Sequence, residues 1–242
     1  VTDVALPPGA TTVLDAMDPT GDDNGPGTYA YPTSSNFHAG AFDLTHMSVI
    51  QTATNVFIQV ALQNLDSTFG SNFGAQLLDV YVHNPAAAST STQAAFTSRN
   101  YAIASPDAWS QRLEAQGFAP VVWKDAAGNS VGSAQLIVDQ PSRTATLVMP
   151  KAAFGTPGSG WAFTVTLTGQ DGFSSDQARS FTATPGDFSF GVCSSTESSP
   201  ICAVDPNTVP KVMDTIPPPG VNQDTELDPT HPPVVIQGLT VP

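Results

Sequence analysis

Basic residues are scarce in this sequence. Seven Lys and Arg stand against 21 Asp and Glu, a formal net charge of −14, and none of the seven precedes Arg99, whereas eight Asp do. Nucleic-acid binding needs a cationic footprint that displaces phosphate counterions, so that class of partner is excluded. Anionic membrane surfaces are disfavoured on the same ground, while a neutral polymer or a divalent cation is electrostatically permitted. Charged residues of either sign make up only 12%, about half the usual share. Thr, Ser, Asn, Gln, Gly and Pro must therefore make the surface polar, as in many secreted β-proteins. Long apolar runs are missing too: no stretch approaches the roughly 20 residues of a membrane span. Val1-Thr2-Asp3 lacks the basic and apolar regions of a secretory leader, so the chain reads as a mature or excised part of something exported or surface-attached.

Glutamate and cysteine are the next scarcities. Glycoside hydrolysis usually needs two carboxylates flanking the scissile bond. The three Glu are Glu114, on an expected helix, and Glu197 and Glu226, in Ser-rich and Pro-rich segments. No Gly-x-Ser-x-Gly elbow occurs, and His38, His46, His83 and His231 have no motif partners. Nothing in these residues calls for an enzyme. Cys193 and Cys202 enclose a short Ser-rich loop containing Pro200. In an exported protein such a pair reads as a disulfide. A zinc site would need more ligands than two thiols without a nearby His.

With 242 residues and 40% hydrophobic side chains, the chain can bury a sizeable core. Period-two alternation recurs along it. Val56, Ile58, Val60 and Leu62 share one face. Leu78, Val80 and Val82 lie opposite Asp79, Tyr81 and His83, and Trp161, Phe163, Val165 and Leu167 alternate with Ala162, Thr164, Thr166 and Thr168. This pattern indicates strands with one buried face. Further strands are expected at 42–50, 119–124, 134–139, 144–149 and 187–192, with turns at Asp125 to Asn129, Val131-Gly132 and Gln140 to Arg143. The fold class is all-β, an antiparallel β-sandwich. One short helix is expected from Ser105-Pro106-Asp107 through Ala108 to Ala115, ending at Gly117. A single helical turn is expected at Lys151 to Phe154. The whole of 1–242 reads as a single module: a sandwich body over 1–204 and a Pro-rich extension over 205–242 packed on it. That extension, with Pro217-Pro218-Pro219 and Pro232-Pro233, cannot supply central strands, although Val234-Val235-Ile236 suits an edge.

The densest motif is Asp18-Pro19-Thr20-Gly21-Asp22-Asp23-Asn24-Gly25-Pro26-Gly27-Thr28-Tyr29, followed by Tyr31-Pro32. Ca²⁺ takes six to eight oxygens from carboxylates, amides and carbonyls, and a Gly-rich loop can fold such groups around one ion. Asp18, Asp22 and Asp23, with Asp43 close behind, are the candidate ligands. A solvated acidic turn is the bland alternative, and the spacing is not that of an EF-hand.

This stretch and Gly40-Ala41-Phe42-Asp43-Leu44 resemble the C-terminal domain of glucodextranase and of some amylopullulanases. So do Gln76 to Val82, Arg99-Asn100 with Asp107-Ala108-Trp109, Gly160-Trp161 to Val165 with Thr168 to Gly172, and the ending from Pro210. The resemblance implies a β-sandwich akin to family-nine carbohydrate-binding modules and DOMON domains, linked to a catalytic domain that cleaves α-glucans. It also implies a role in binding carbohydrate or the cell surface. The Cys193–Cys202 loop is not among the residues that carry it, and no S-layer-homology repeats are found.

Aromatic faces are the usual sugar platforms. Trp161 reads as core. Trp109 on the expected helix, Trp123 near a turn, and Tyr29, Tyr31 and Tyr101 near loops are the candidate carbohydrate contacts, with a neutral polysaccharide such as an α-glucan as ligand. Two alternatives stay open: a spacer without a ligand, and a haem-binding electron carrier using Met17, Met47, Met149 or Met213 with His38, His46 or His83.

Overall fold

A computed structural model describes residues 9–242. The longer strands are β1 (Thr11–Met17), β2 (Leu44–Gln51), β3 (Asn55–Leu62) and β4 (Gln76–His83). After the two-residue β5 (Ala102–Ile103) come β6 (Gln111–Gln116), β7 (Val122–Asp125), β8 (Gln135–Asp139), β9 (Thr144–Pro150) and β10 (Ala162–Gly169). Short strands complete the set: β11 (Phe181–Thr182), β12 (Phe190–Gly191), β13 (Asp214–Thr215), β14 (Val235–Ile236) and β15 (Leu239–Thr240). Among the described residues there are two single-turn α-helices, α1 (Lys151–Phe154) and α2 (Gln223–Glu226).

The strands form an all-β sandwich. One antiparallel sheet runs β1-β2-β3-β9-β8. The other runs β13-β10-β4-β6-β7, with β15 farther along β10. Alternation places Val56, Ile58, Val60 and Leu62 of β3 and Ala145, Leu147 and Met149 of β9 in one buried cluster. Leu78, Val80 and Val82 of β4 and Phe163, Val165 and Leu167 of β10 complete it from the other sheet. Each buried aliphatic side chain contributes about 1.5–3 kcal/mol relative to exposure.

The face of the second sheet that points away from this core is also dry. Asp79, Tyr81, Glu114, Thr164, Thr166 and Thr168 are all buried. Tyr81 joins Tyr101, Ile103 and Trp109 from the segment after β4, and Val212, Leu227, Val234 and Ile236 from the C-terminal segment, in a second apolar cluster. Burying polar groups there requires partners. Arg99, fully buried, donates to Asp79, to Glu114 at 3.0 Å and to the Asp176 carbonyl at 2.7 Å. Tyr101 donates to Asp79 at 3.1 Å and shares a hydrogen bond with Tyr81 at 2.9 Å.

Two sequence expectations need correction. The helix expected from Ser105 to Ala115 is only a 3₁₀ turn over Ser105–Asp107, followed by strand β6. Helix-favouring residues in Gln111–Gln116 are overridden by pairing with β4 and β7, which puts Leu113 and Ala115 into the core. The strand expected over 187–192 shrinks to Phe190–Gly191, paired in parallel with Phe181–Thr182. Cys193 and Cys202 form a disulfide, with Cα atoms 5.5 Å apart.

Candidate metal centre

The loop after β1 cannot run straight. Gly25 and Gly27 adopt φ of +59° and +85°, a region L side chains rarely visit. A Cβ on Gly27 would lie 3.2 Å from the Asp224 carboxylate carbon. Turning there sends both the Gly27 and Tyr29 amides to the Asn24 carbonyl, at 3.1 and 2.8 Å. The C-terminal segment holds the loop from the other side. Gly25 N donates to the Met213 carbonyl at 2.8 Å, and the Gln223 amide donates to the carbonyls of Asp22 at 2.6 Å and Gly25 at 3.2 Å.

This clasp brings carboxylates together. Asp18, Asp22 and Asp214 each place an oxygen within 4.8 Å of the other two. Asp214 lies on β13, takes the Leu44 amide at 2.6 Å and the Thr215 amide at 2.8 Å, and is fully buried. Asp43, also fully buried, accepts from Gly21 N at 2.6 Å through one oxygen. Its other oxygen has no hydrogen-bond partner, nor do Oδ2 of Asp18, Oδ1 of Asp22 and Oδ1 of Asn24. Buried anionic oxygens without partners are costly. Burial, reinforced by Asp22 and Asp43, pushes the Asp18 carboxyl up to about 8. Burial, with Asp23 and Asp22 adding to it against the Gly21 amide, raises Asp43 to about 6. Asp214 is driven well above the usual carboxylate range by burial and then by Asp18. Crowded carboxylates of this kind are relieved by a proton or by a cation. An all-oxygen set suits a hard cation such as Ca²⁺.

Of the four Asp expected as ligands, Asp18 and Asp22 meet, and Asp43 is electrostatically coupled to both. Asp23 instead accepts a hydrogen bond from Tyr31. Asp214 escaped sequence reasoning because it sits in the Pro-rich segment. Its signal was a lone carboxylate inside Val212-Met213-Asp214-Thr215-Ile216.

The aromatic candidates need correction. Trp109, Trp123, Tyr29 and Tyr101 are buried, and Tyr31 is half-buried. Each spends its polar atom internally. Trp109 donates to the Gln93 carbonyl at 2.7 Å, Trp123 to Gln111 at 2.9 Å and Tyr29 to the Pro210 carbonyl at 3.1 Å. Tyr31 accepts from Phe42 N at 3.0 Å, and Tyr101 bonds Tyr81 and Asp79. Four of the five are therefore poorly placed for stacking on a sugar ring. Trp161 is core, as expected. Of the haem alternatives, Met47, Met149 and Met213 are packed in the main core. His46 pairs with Asp15, and His83 bonds the Ala108 carbonyl at 2.7 Å.

Two antiparallel sheets joined by an internal acidic centre define a β-sandwich module. The family model described as the C-terminal, SLH-like binding module of glucodextranase matches residues 13–236, and the chain belongs to that family. It is thus an accessory binding module of the glucodextranase type. No curated protein matches the chain.

Proposed function

We propose that this chain is a non-catalytic carbohydrate-binding or cell-surface attachment module of a secreted glycoside hydrolase that acts on α-glucans. Its own ligand is a neutral polysaccharide, held weakly. The observation that carries the reading is membership of a binding-module family across 13–236, a span that includes every residue of the acidic centre. The acidic, cation-poor composition favours an uncharged ligand. Sugar hydrogen bonds replace bonds to water and net little each. Tethering to a polymer-cleaving domain makes weak binding sufficient, because it raises the local substrate concentration. Calorimetric titration of the chain with isomalto- and malto-oligosaccharides tests this. Saturable heat without release of reducing sugar is expected. Absence of any binding heat favours the spacer alternative, and released reducing sugar overturns the non-catalytic reading.

A resident Ca²⁺ belongs to the same proposal. Asp18, Asp22 and Asp214 would hold it, with Asp43 and Asn24 as additional oxygen donors. The ion would link the loop after β1 to the C-terminal segment and so serve stability rather than chemistry. Binding at a hundredfold excess over Kd stabilises the folded state by about 3 kcal/mol. Elemental analysis after extensive dialysis should find about one Ca²⁺ per chain.

A further inference from the structure

With four of the five expected aromatic platforms buried, more exposed rings are the better place to look for the carbohydrate-contact surface. Phe69 and Phe188 are 41% and 52% exposed. Single exposed phenylalanines carry little meaning, but these two converge with buried Phe37 from three separate loops. The ring centroids are 5.8 Å (37 to 69), 6.2 Å (37 to 188) and 6.5 Å (69 to 188) apart. The cluster is fixed from below. Buried Arg179 places its guanidinium 4.8 Å from the Phe37 ring centre and 6.0 Å from that of Phe69, and donates to the Phe188 carbonyl at 2.8 Å. Thr68 and Ser71 close the tight turn that carries Phe69 with two mutual backbone hydrogen bonds, at 2.9 and 3.1 Å. In that turn Phe69 sits at φ +55°, a region where a bulky residue is an outlier and Gly or Asn is favoured. A side chain kept at a strained position and half in water points to a use for its ring.

Resting on the carbohydrate-binding reading above, we infer that the Phe37, Phe69 and Phe188 patch is the stacking platform on which this module takes the pyranose rings of a neutral glucan. The C–H face of a pyranose matches the negative face of a phenyl ring in size and polarity. Two half-exposed rings offer on the order of 200 Å², enough for one or two sugar rings but far below the roughly 800 Å² per partner of a stable protein interface. Exposed Asn36, Asp66 and Asp187 lie along the same loops. They supply hydroxyl-seeking groups and disfavour an anionic ligand. On the turn that carries Phe69, Ser71 and Asn72 also line a groove of about 450 Å³ together with Gln116 and Gln135, whose amides suit the hydroxyls of a longer chain.

The test uses the whole chain and two variants, Phe69→Gly and Phe188→Ala, in native gels with and without dextran or soluble starch. Each variant should bind about 5–10-fold more weakly, and the double variant should migrate as if no polymer were present. Phe69→Gly should melt no lower than wild type, since it relieves the left-handed backbone, so lost retention would not reflect unfolding. If wild type is retarded and both variants are retarded equally, the platform assignment is overturned while the carbohydrate-binding reading stands. A patch that instead docked the linked catalytic domain would give that same result. If wild type itself is not retarded, the broader reading fails and the platform fails with it.

Discussion

Strands β3 and β9 of the five-stranded sheet keep one face dry, whereas β4 and β10 at the centre of the six-stranded sheet keep two. In β3, Val56, Ile58, Val60 and Leu62 are buried, while Asn55, Phe57, Gln59 and Ala61 are only half-covered. In β10 every residue from Ala162 to Gly169 is buried, its threonines included. Yet both strands alternate in sequence. Alternation therefore reports which face meets the other sheet, and not whether the opposite face sees water. Polar residues on the covered face of the second sheet are held by Arg99, Tyr81 and Tyr101 at one oxygen of Asp79 and by Arg99 and Arg112 at Glu114, and the Pro-rich C-terminal segment lies over them.

The contrast is sharpest at Arg99. Replacing it by Met leaves the buried Asp79 charge without a cation and Glu114 with Arg112 alone, which should cost about 3–5 kcal/mol. Exposed Ile137 of β8, on the first sheet, should tolerate Thr within about 0.5 kcal/mol. Urea denaturation midpoints for the two variants give the comparison directly. Similar small losses would show that the covered face contributes no more than the open one.

Next in size is the acidic centre, which joins the loop after β1 to the C-terminal segment. Removing Ca²⁺ with EGTA, or substituting Asp214→Asn, should lower stability by about 3 kcal/mol in calcium buffer. The sign with pH follows from the raised carboxyls. Asp18 titrates at about 8 and Asp43 at about 6 in the folded chain, against roughly 3.9 when unfolded. The folded state thus holds protons that the unfolded state releases, and the metal-free protein loses stability as pH rises through that window. On the proposed calcium reading the ion takes the place of those protons, so EGTA should lower the melting temperature more at about pH 8 than at about pH 5. A calcium effect independent of pH would contradict the assignment of these carboxylates to the site.

Reduction of Cys193–Cys202 should have a smaller effect, roughly 2–3 kcal/mol from closure of a short loop, read as the shift in urea midpoint with and without reductant. Smaller again, Tyr29→Phe removes one buried hydrogen bond, to the Pro210 carbonyl. It should cost about 1 kcal/mol in the same assay.

Much of the fold was legible. The alternation at Val56–Leu62 and Leu78–Val82, the turn at Lys151–Phe154 and the short cysteine loop each rest on local chemistry, and local chemistry is what a sequence displays. The acidic loop was visible for the same reason. What failed depended on distant chain. Gln111–Gln116 looks helical until β4 and β7 claim it. Asp214 lies 192 positions from Asp22, and only the clasp between Gly25 and Met213 reveals that they meet. Trp109 and Tyr101 read as candidate platforms because nothing local shows that the C-terminal segment covers them. Phe69, one of the rings that do reach solvent, gave no signal beyond its neighbouring glycine.

The account stands most directly on whether the chain binds neutral glucans without cleaving them. Native electrophoresis of the calcium-loaded chain in dextran and soluble-starch gels, paired with a reducing-sugar assay on the same polymers, decides it. The account predicts retardation in at least one polymer and no reducing sugar. Equal mobility in every gel, or sugar released by the isolated chain, would contradict it.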